Sequence, residues 1–321
     1  MSARPAVDAV LQPAGPVAQT IAEMAWVLIV GAGVLFVVVM VALVWALRHR
    51  HSAPGNIGRD AGKLGWIVGA GFVFPVVVLS ALLVYADWRA QGLTPPRGAH
   101  ELVISVTGHL WWWEVHYSDP ARGLDVVLAN QIHLPVGRAV TLGLTSQDVI
   151  HSLWVPALAG KIDMVPGRVH QLRLQADRPG VYRGQCAEFC GEQHARMALH
   201  VVAQAPEAFE QWLAAQARPA QMPQEGIALR GAQVFAEQRC GVCHRVRGLV
   251  PATPVASIGP DLTHVGSRLH LAAGTLPMST ASLRDWVAHP QRSKPGARMP
   301  SYERLDDASL AALAEFLAQL Q

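Results

Sequence analysis

Two stretches without a single charged side chain, Ala25–Leu47 and Leu64–Ala86, constrain this 321-residue chain more than any other feature. Each is about the length of helix that crosses a hydrocarbon core of roughly 30 Å. Inside lipid every backbone N–H and C=O must be satisfied within the segment, so such a stretch has to be helical. Trp26, Trp45, Trp66, Tyr85 and Trp88 lie near the ends, where an aromatic belt belongs. Pro75 falls mid-span in the second stretch, which a membrane helix tolerates when a neighbouring helix satisfies the freed carbonyl. The alternative, a pair of buried core helices, fits the lengths and the missing charges poorly. A cleavable signal peptide is not expected either, because the first span is too long and no basic region leads into it. The connecting loop carries Arg48, Arg50, Arg59 and Lys63 against Asp60, so the positive-inside rule places it in the cytoplasm. Both termini, and everything after Arg89, then lie outside. In a bacterium this describes a two-span protein of the inner (plasma) membrane, facing the periplasm or outer side.

Past the spans the pattern changes to short runs rich in Val, Leu, Ile and Trp: ELVISVTGHLWWWEVHY, DVVLANQIHLPVGRAVTLGLTS, RVHQLRLQADRPGVYRGQC and ARMALHVVA. Turns at Ser-Asp-Pro, Pro-Val-Gly and Arg-Pro-Gly punctuate them, which predicts a β-sandwich or barrel. PEAFEQWLAAQ reads as a short amphipathic helix with Phe209, Trp212 and Leu213 on one face. ARPAQMPQEG is small and polar and reads as a linker. The expected division is therefore 1–94 for an N-terminal segment and hairpin (helices about 22–47 and 64–88), 95–216 for the β domain, 217–226 for the linker and 227–321 for a third, helical unit. A net charge of +3, with no run of Lys or Arg, is too small to argue for nucleic acid, and no such partner is expected.

The four cysteines fall as two close pairs, which suggests cofactor sites rather than a disulfide framework. The first pair lies in Cys186-x3-Cys190-x3-His194-x2-Met197, on the loop between the last two strands. A one-copper blue site uses one Cys, two His and a weak Met; a second thiolate on the same loop can bridge two coppers. His151, in DVIHSLWVP, is the best source of the second nitrogen. The backbone carbonyl of Glu188 points into the same space. A disulfide, or a zinc site with His151 and His194, would use the same cysteines, but neither explains the soft thioether of Met197. The second pair lies in RCGVCH, where Cys240 and Cys243 with His244 form the Cys-x-x-Cys-His motif of covalent c-type haem attachment. A redox dithiol or half of a zinc site would share Cys-x-x-Cys. The other histidines, such as His109, His116, His133, His170, His200, His264, His270 and His289, lack a partner at ligand spacing and read as surface or supporting groups.

GQCAEFCGEQHARM, with DVIHSLWVP, GKIDMVPGR and the hairpin in front, resembles subunit II of the haem–copper cytochrome c oxidases. Residues 227–321, with IGPDLTHVGSR, KPGARMPSY and DDASLAALAEFLAQL, resemble a class I cytochrome c. Together they resemble the caa-type branch with a fused cytochrome. The resemblance implies a transmembrane hairpin, a cupredoxin-like β-sandwich and an all-α cytochrome c domain. It implies a binuclear CuA centre held by His151, Cys186, the Glu188 carbonyl, Cys190, His194 and Met197, and a magnesium ion on the Glu188 side chain at the contact with subunit I. It implies Trp111 of GHLWWWEVHY as the residue that takes electrons from the donor, against the reading of all three Trp as core or interface residues. In a strand, Trp112 would point away from Trp111 and Trp113.

In the cytochrome c part it implies Cys240 and Cys243 as haem thioethers, His244 and Met299 as axial ligands, and the Pro260 carbonyl as hydrogen-bond acceptor for the His244 ring. Met278 is the rival thioether, but it precedes the helix SLRDWVAHP and so comes early. Electrons would pass from an external donor (a cytochrome c or a quinol-oxidising complex) through haem c and CuA to the haem of subunit I, where oxygen is reduced in a proton-translocating complex. A nitric oxide reductase with the same subunit design, or a membrane-tethered carrier, would share these motifs. The family often has a Glu near the start of the second helix at the mouth of a proton pathway; KLGWIVGAGFVFP has none.

Overall fold

The computed structural model describes residues 10–49, 61–91, 93, 101–249 and 258–321. The basic loop 50–60, on which the inside–outside expectation rests, lies outside the described residues. The chain divides into two compact units, Gln19–Pro96 and the remainder, Met1–Ala18 with Arg97–Gln321.

The smaller unit is two apolar helices. Helix α1 is Pro16–His49, and the second helix is built of α2, Ala61–Val68, a π-helical turn Gly69–Val73, and α3, Phe74–Ala90. Both run past the expected ends. Pro75 does not break the helix: it sits in the first turn of α3, where the Phe74 N–H has already stepped back to Gly69 O in the wider π register. Neither apolar window is buried in the molecule, so a soluble-core role for these helices fails and a membrane anchor fits. The charges come at the ends, where Arg89 of α3 donates to the Glu23 carboxylate of α1.

In the larger unit, alternation of buried and exposed residues along short strands dictates a sandwich. Strands β1 (Leu102–His109), β2 (Trp112–Asp119), β3 (Leu124–Ala129), β5 (Val140–Ser146) and β8 (His170–Leu174) form one sheet in the order β3-β2-β1-β5-β8. Strands β4 (Gln131–Pro135), β6 (His151–Trp154), β7 (Lys161–Met164), β9 (Gly180–Cys186) and β10 (Ala198–Gln204) form the other, in the order β4-β10-β9-β6-β7. Ile104, Val106, Trp113, Val115 and Tyr117 from the first sheet meet Ile132, Leu134, Leu153, Leu199 and Val201 from the second in one core. Helix α4, Pro206–Gln216, closes it with Phe209 and Leu213, while Trp212 stays half-buried and stacks on His133 at 3.8 Å. A segment expected to belong only to the anchor joins this core: Ala14 is bonded to the sandwich on both sides, by its N–H to Ala157 O and by its carbonyl from Asp177 N–H.

The remaining elements are α5 (Gly226–Glu237), the short hairpin β11–β12 (His270–Leu271, Leu276–Pro277), α6 (Thr280–Ala288), α7 (Pro290–Ser293) and α8 (Asp307–Gln319). Helices α5 and α8 cross where Gly231 meets the backbone; a Cβ there would lie 2.0 Å from Ala312 O. Phe235 and Phe316 meet edge-on beside the crossing. The carboxylate of Asp306 caps α8 by accepting from Ser309 N–H at 2.7 Å. The segment read as a linker is tied down: Arg247 donates to Ala217 O and Gln216 O, and His264 Nε2 donates to Arg218 O.

Candidate metal centre

The loop between β9 and β10 carries the thiol motif, and both of its ends are pinned. Cys186 is the last residue of β9, and its N–H donates to Met197 O at 2.9 Å, just before β10. Ala187 N–H donates to Ser152 O in β6, and the β6–β9 register sets Leu153 opposite Cys186. That pairing delivers His151, the first residue of β6, to the thiols across 35 residues of sequence.

All six residues expected at this centre converge. The Cys186 and Cys190 sulfurs are 3.8 Å apart. His151 Nδ1 is 3.9 Å from Cys186 Sγ, and His194 Nδ1 is 3.6 Å from Cys190 Sγ. Met197 Sδ lies 3.9 Å from Cys190 Sγ, and the Glu188 carbonyl oxygen lies 3.2 Å from Cys186 Sγ. Both cysteines, His151 and Met197 are buried. The sulfurs are too far apart for a disulfide. The donor set, two thiols, two imidazoles, a thioether and a carbonyl, suits soft or borderline metal ions and has one nitrogen beside each sulfur.

The electrostatics favour a thiolate. Cys186 is pulled down to about 3, chiefly because the Cys190 thiol donates to it, with His151 adding to the effect and burial opposing it. Cys190 is driven up in turn, by the same neighbour and by burial. Burial pushes His151 down, but Cys186 and Asp148 outweigh it and raise the imidazole overall.

Asp148 was not anticipated. It sits in the turn before β6, where His151 Nε2 donates to its Oδ1 at 2.9 Å. The Val149 and Leu110 N–H groups also donate to the carboxylate. Fixing Nε2 in this way leaves Nδ1 to face the sulfurs. A lone Asp three residues ahead of a His is the only trace this leaves in sequence. Gly108 is the other half of the support, because a Cβ there would come within 2.7 Å of the His151 ring.

Trp111 occupies the turn between β1 and β2 rather than a strand, so alternation does not govern it. Its Nε1–H donates to Cys190 O at 2.8 Å, which lays the indole on the thiol loop. Trp113 is fully buried in the core, and Trp112 stacks on His109 at 4.4 Å. The Glu188 carboxylate accepts from Lys161 at 3.3 Å. Phe189, beside the His194 ring, is 78% exposed.

The second motif sits past the end of α5. Its turn brings His244 N–H to Cys240 O at 2.9 Å. His244 Nδ1 donates to Pro260 O at 2.8 Å, as expected, so Nε2 is the nitrogen left for a ligand. Burial pushes this imidazole down, toward its neutral, ligating form. Gly259 lies against the ring, and a Cβ there would be 2.7 Å from His244 Cε1. Cys240, Leu262, Met278, Met299 and Tyr302 are half-buried around the same apolar core. Two thiols one turn apart, a tautomer-locked imidazole and an apolar surround with thioethers fit a covalently attached haem.

Several histidines read as surface or supporting groups are interior instead. His133 lies under Trp212, and His200 stacks on His270 at 4.2 Å.

The family described as cytochrome c oxidase subunit II, periplasmic domain, matches residues 121–204, and that of cytochrome c matches residues 228–321. A cytochrome c oxidase subunit 2 of Alkalihalophilus pseudofirmus is 34% identical over 97% of this chain and 90% of its own length. The chain belongs to the cytochrome c oxidase subunit 2 family. Another subunit 2, of Bacillus subtilis, is 28% identical over 78% of this chain and 70% of its own. Among solved structures, the periplasmic domain of subunit II of the Bradyrhizobium japonicum cytochrome oxidase is 28% identical, with a TM-score of 0.35; the match covers 38% of this chain and 96% of that one. Membership makes this chain a subunit of an oxidoreductase with an electron-transfer role, anchored in a membrane and partnered by other oxidase subunits. Within the family frame, the subunit II match spans His151 and the whole thiol loop, and the cytochrome c match spans Cys240 to Met299. Copper and haem c are the cofactors these matches point to.

Proposed function

We propose that this chain is the electron-transfer subunit of a terminal respiratory oxidase of the bacterial inner membrane. It carries electrons from an external donor, a cytochrome c or a quinol-oxidising complex, through covalent haem c and a binuclear copper centre to the catalytic subunit that reduces oxygen to water. The one observation that carries this reading is the convergence of four further donors on two buried sulfurs 3.8 Å apart, on a chain that also holds a Cys-x-x-Cys-His turn.

In this reading His151, Cys186, the Glu188 carbonyl, Cys190, His194 and Met197 hold the coppers. Bridging thiolates would let one electron spread over two metal ions with little change of geometry. The chain supplies rigidity: ligands pinned by strand pairing, with His151 further fixed by Asp148 and Gly108. Cys240 and Cys243 hold the haem, with His244 and Met299 on the iron and Pro260 behind His244. Met299 is preferred to Met278 by its place in the chain, after α6. Two further residues of the expected set fare differently. Lys161 occupies the Glu188 carboxylate, so a magnesium ion is not retained in the proposal. Trp111 touches the thiol loop through Cys190 O, which supports it as the residue next to the donor. The exposed Phe189, with Val149 and Ile150 beside His151, offers apolar surface to a partner subunit. The domains would be 95–216 for copper and 227–321 for haem, with 217–226 between them and the redox domains on the outer face.

The reading is tested on the full chain purified in detergent with its membrane partners. Low-temperature EPR should show hyperfine structure from one electron shared by two coppers, and haem staining of a denaturing gel should mark this chain. A single-copper spectrum would overturn the binuclear assignment. Consumption of nitric oxide but not oxygen by the complex would overturn the oxidase.

A further inference from the structure

The segment just ahead of Met299 reaches out of the haem domain and touches the copper domain at Trp111. Lys294 is only 4% exposed, and its ammonium donates to Trp111 O and to Ala272 O. Gly296 faces the indole itself: a Cβ there would lie 3.4 Å from Trp111 Cη2 and Cζ3, and 2.9 Å from Glu192 Oε2. Its φ of +78° is one that glycine adopts freely. On the other side of the thiol loop, Arg196, between His194 and Met197, donates to Ser293 O at 2.7 Å. Ala198 N–H donates to Ala273 O at 3.0 Å. Residues 293–296 thus touch Trp111 and the metal-loop residues Glu192 and Arg196 together, three residues before the proposed iron ligand.

Lys294 is an expensive way to make such a contact. A buried ammonium that donates to carbonyls forfeits several kcal/mol of hydration, and an apolar side chain would pack there at less cost. What the ammonium adds is direction, since its donors fix the segment over one particular carbonyl. Electron tunnelling falls steeply with distance, so a fixed seat matters more here than tight binding.

We propose that residues 293–296 are the docking segment by which the haem domain seats on Trp111 of the copper domain, with Lys294 as the positioning residue. The chain's own haem domain then occupies the edge where an external protein would otherwise meet Trp111, and electrons reach copper by way of the haem. This rests on the function proposed above.

The test is made in the purified oxidase complex by following electron transfer from reduced haem c to copper after rapid mixing. Lys294→Met and Gly296→Leu should each slow that step about tenfold or more, with the haem and copper spectra unchanged. Lys294→Arg, which keeps a donor, should recover part of the rate. An unchanged rate in both of the first two variants would overturn the docking role. Should a variant fold poorly, the loss shows in its haem spectrum, and the Lys294→Met and Lys294→Arg pair still separates docking from folding. Wild-type protein without the two-copper signal would sink the function itself; normal signals with indifferent rates would sink only the docking.

Discussion

Asp148 Oδ1 lies 2.9 Å from His151 Nε2, and this contact decides which nitrogen His151 turns to the thiols. Supporting hydrogen bonds of this kind typically alter metal affinity by about 10–100-fold. Asp148→Ala removes the acceptor shared by His151, Leu110 and Val149. Copper should still bind, but about tenfold or more weakly in chelator competition, with an altered absorption spectrum. Wild-type affinity in the variant would rule out the orienting role.

Cys190 and Cys186 are expected to contribute differently once separated. In Cys190→Ser one thiolate remains, with His151 beside it. EPR should then show an electron confined to one copper, and total copper per chain should fall by about half. Retention of a shared-electron spectrum would show that Cys190 is not a bridging ligand.

Acid should loosen the contact between β10 and the 270–274 region. Burial, then His270 and Arg183, lower His200 from 6.5 to about 4. The folded state therefore keeps this imidazole neutral. Its contribution is fully present above the unfolded value of 6.5 and is lost as pH falls from there toward 4. At about 1.4 kcal/mol per pH unit, the loss is at most about 3 kcal/mol. Thermal melts of the solubilised chain should show wild-type stability dropping between pH 7 and 5. His200→Phe keeps a ring against His270 without titrating, and should drop less. Equal losses in both would assign the acid sensitivity elsewhere.

Gly231 tests the helix crossing. A side chain there meets Ala312 O and the Phe316 Cβ, which are not flexible ends that can move aside. Gly231→Val should cost roughly 1–3 kcal/mol or more from overpacking. The sign of failure would be a melting temperature and haem content equal to wild type.

Much of the architecture was legible because it rests on local pattern. The spans announced themselves by missing charge, the sandwich by alternation, and both candidate centres by donor side chains a few positions apart. His151 was picked out because one more nitrogen was needed and it follows a strand and precedes a Pro-containing loop; the fold sets its Nδ1 3.9 Å from Cys186 Sγ. Other features depend on what the fold brings together. Asp148 looks like any turn residue until β6 closes on β9. Nothing in KPG marks Lys294, yet it is buried against Trp111. His133 and His200 carry no partner in sequence, and only the packing of Trp212 and His270 makes them interior. Trp111 reads as part of a strand, because a run of three tryptophans does not reveal that the first sits in the turn.

With the cofactors of the proposed function, the β6–β9 pairing would also order the chain's maturation. Cys240, Cys243 and His244 are neighbours in the unfolded chain, so haem can be joined to a local turn before any tertiary structure exists. His151 reaches Cys186 only after strands distant in sequence have met and the sandwich has closed, and closing contacts of that range is slow. One cofactor is thus addressed to a sequence and the other to a fold. A mutation that merely delays sandwich closure would yield a haem-bearing, copper-poor subunit.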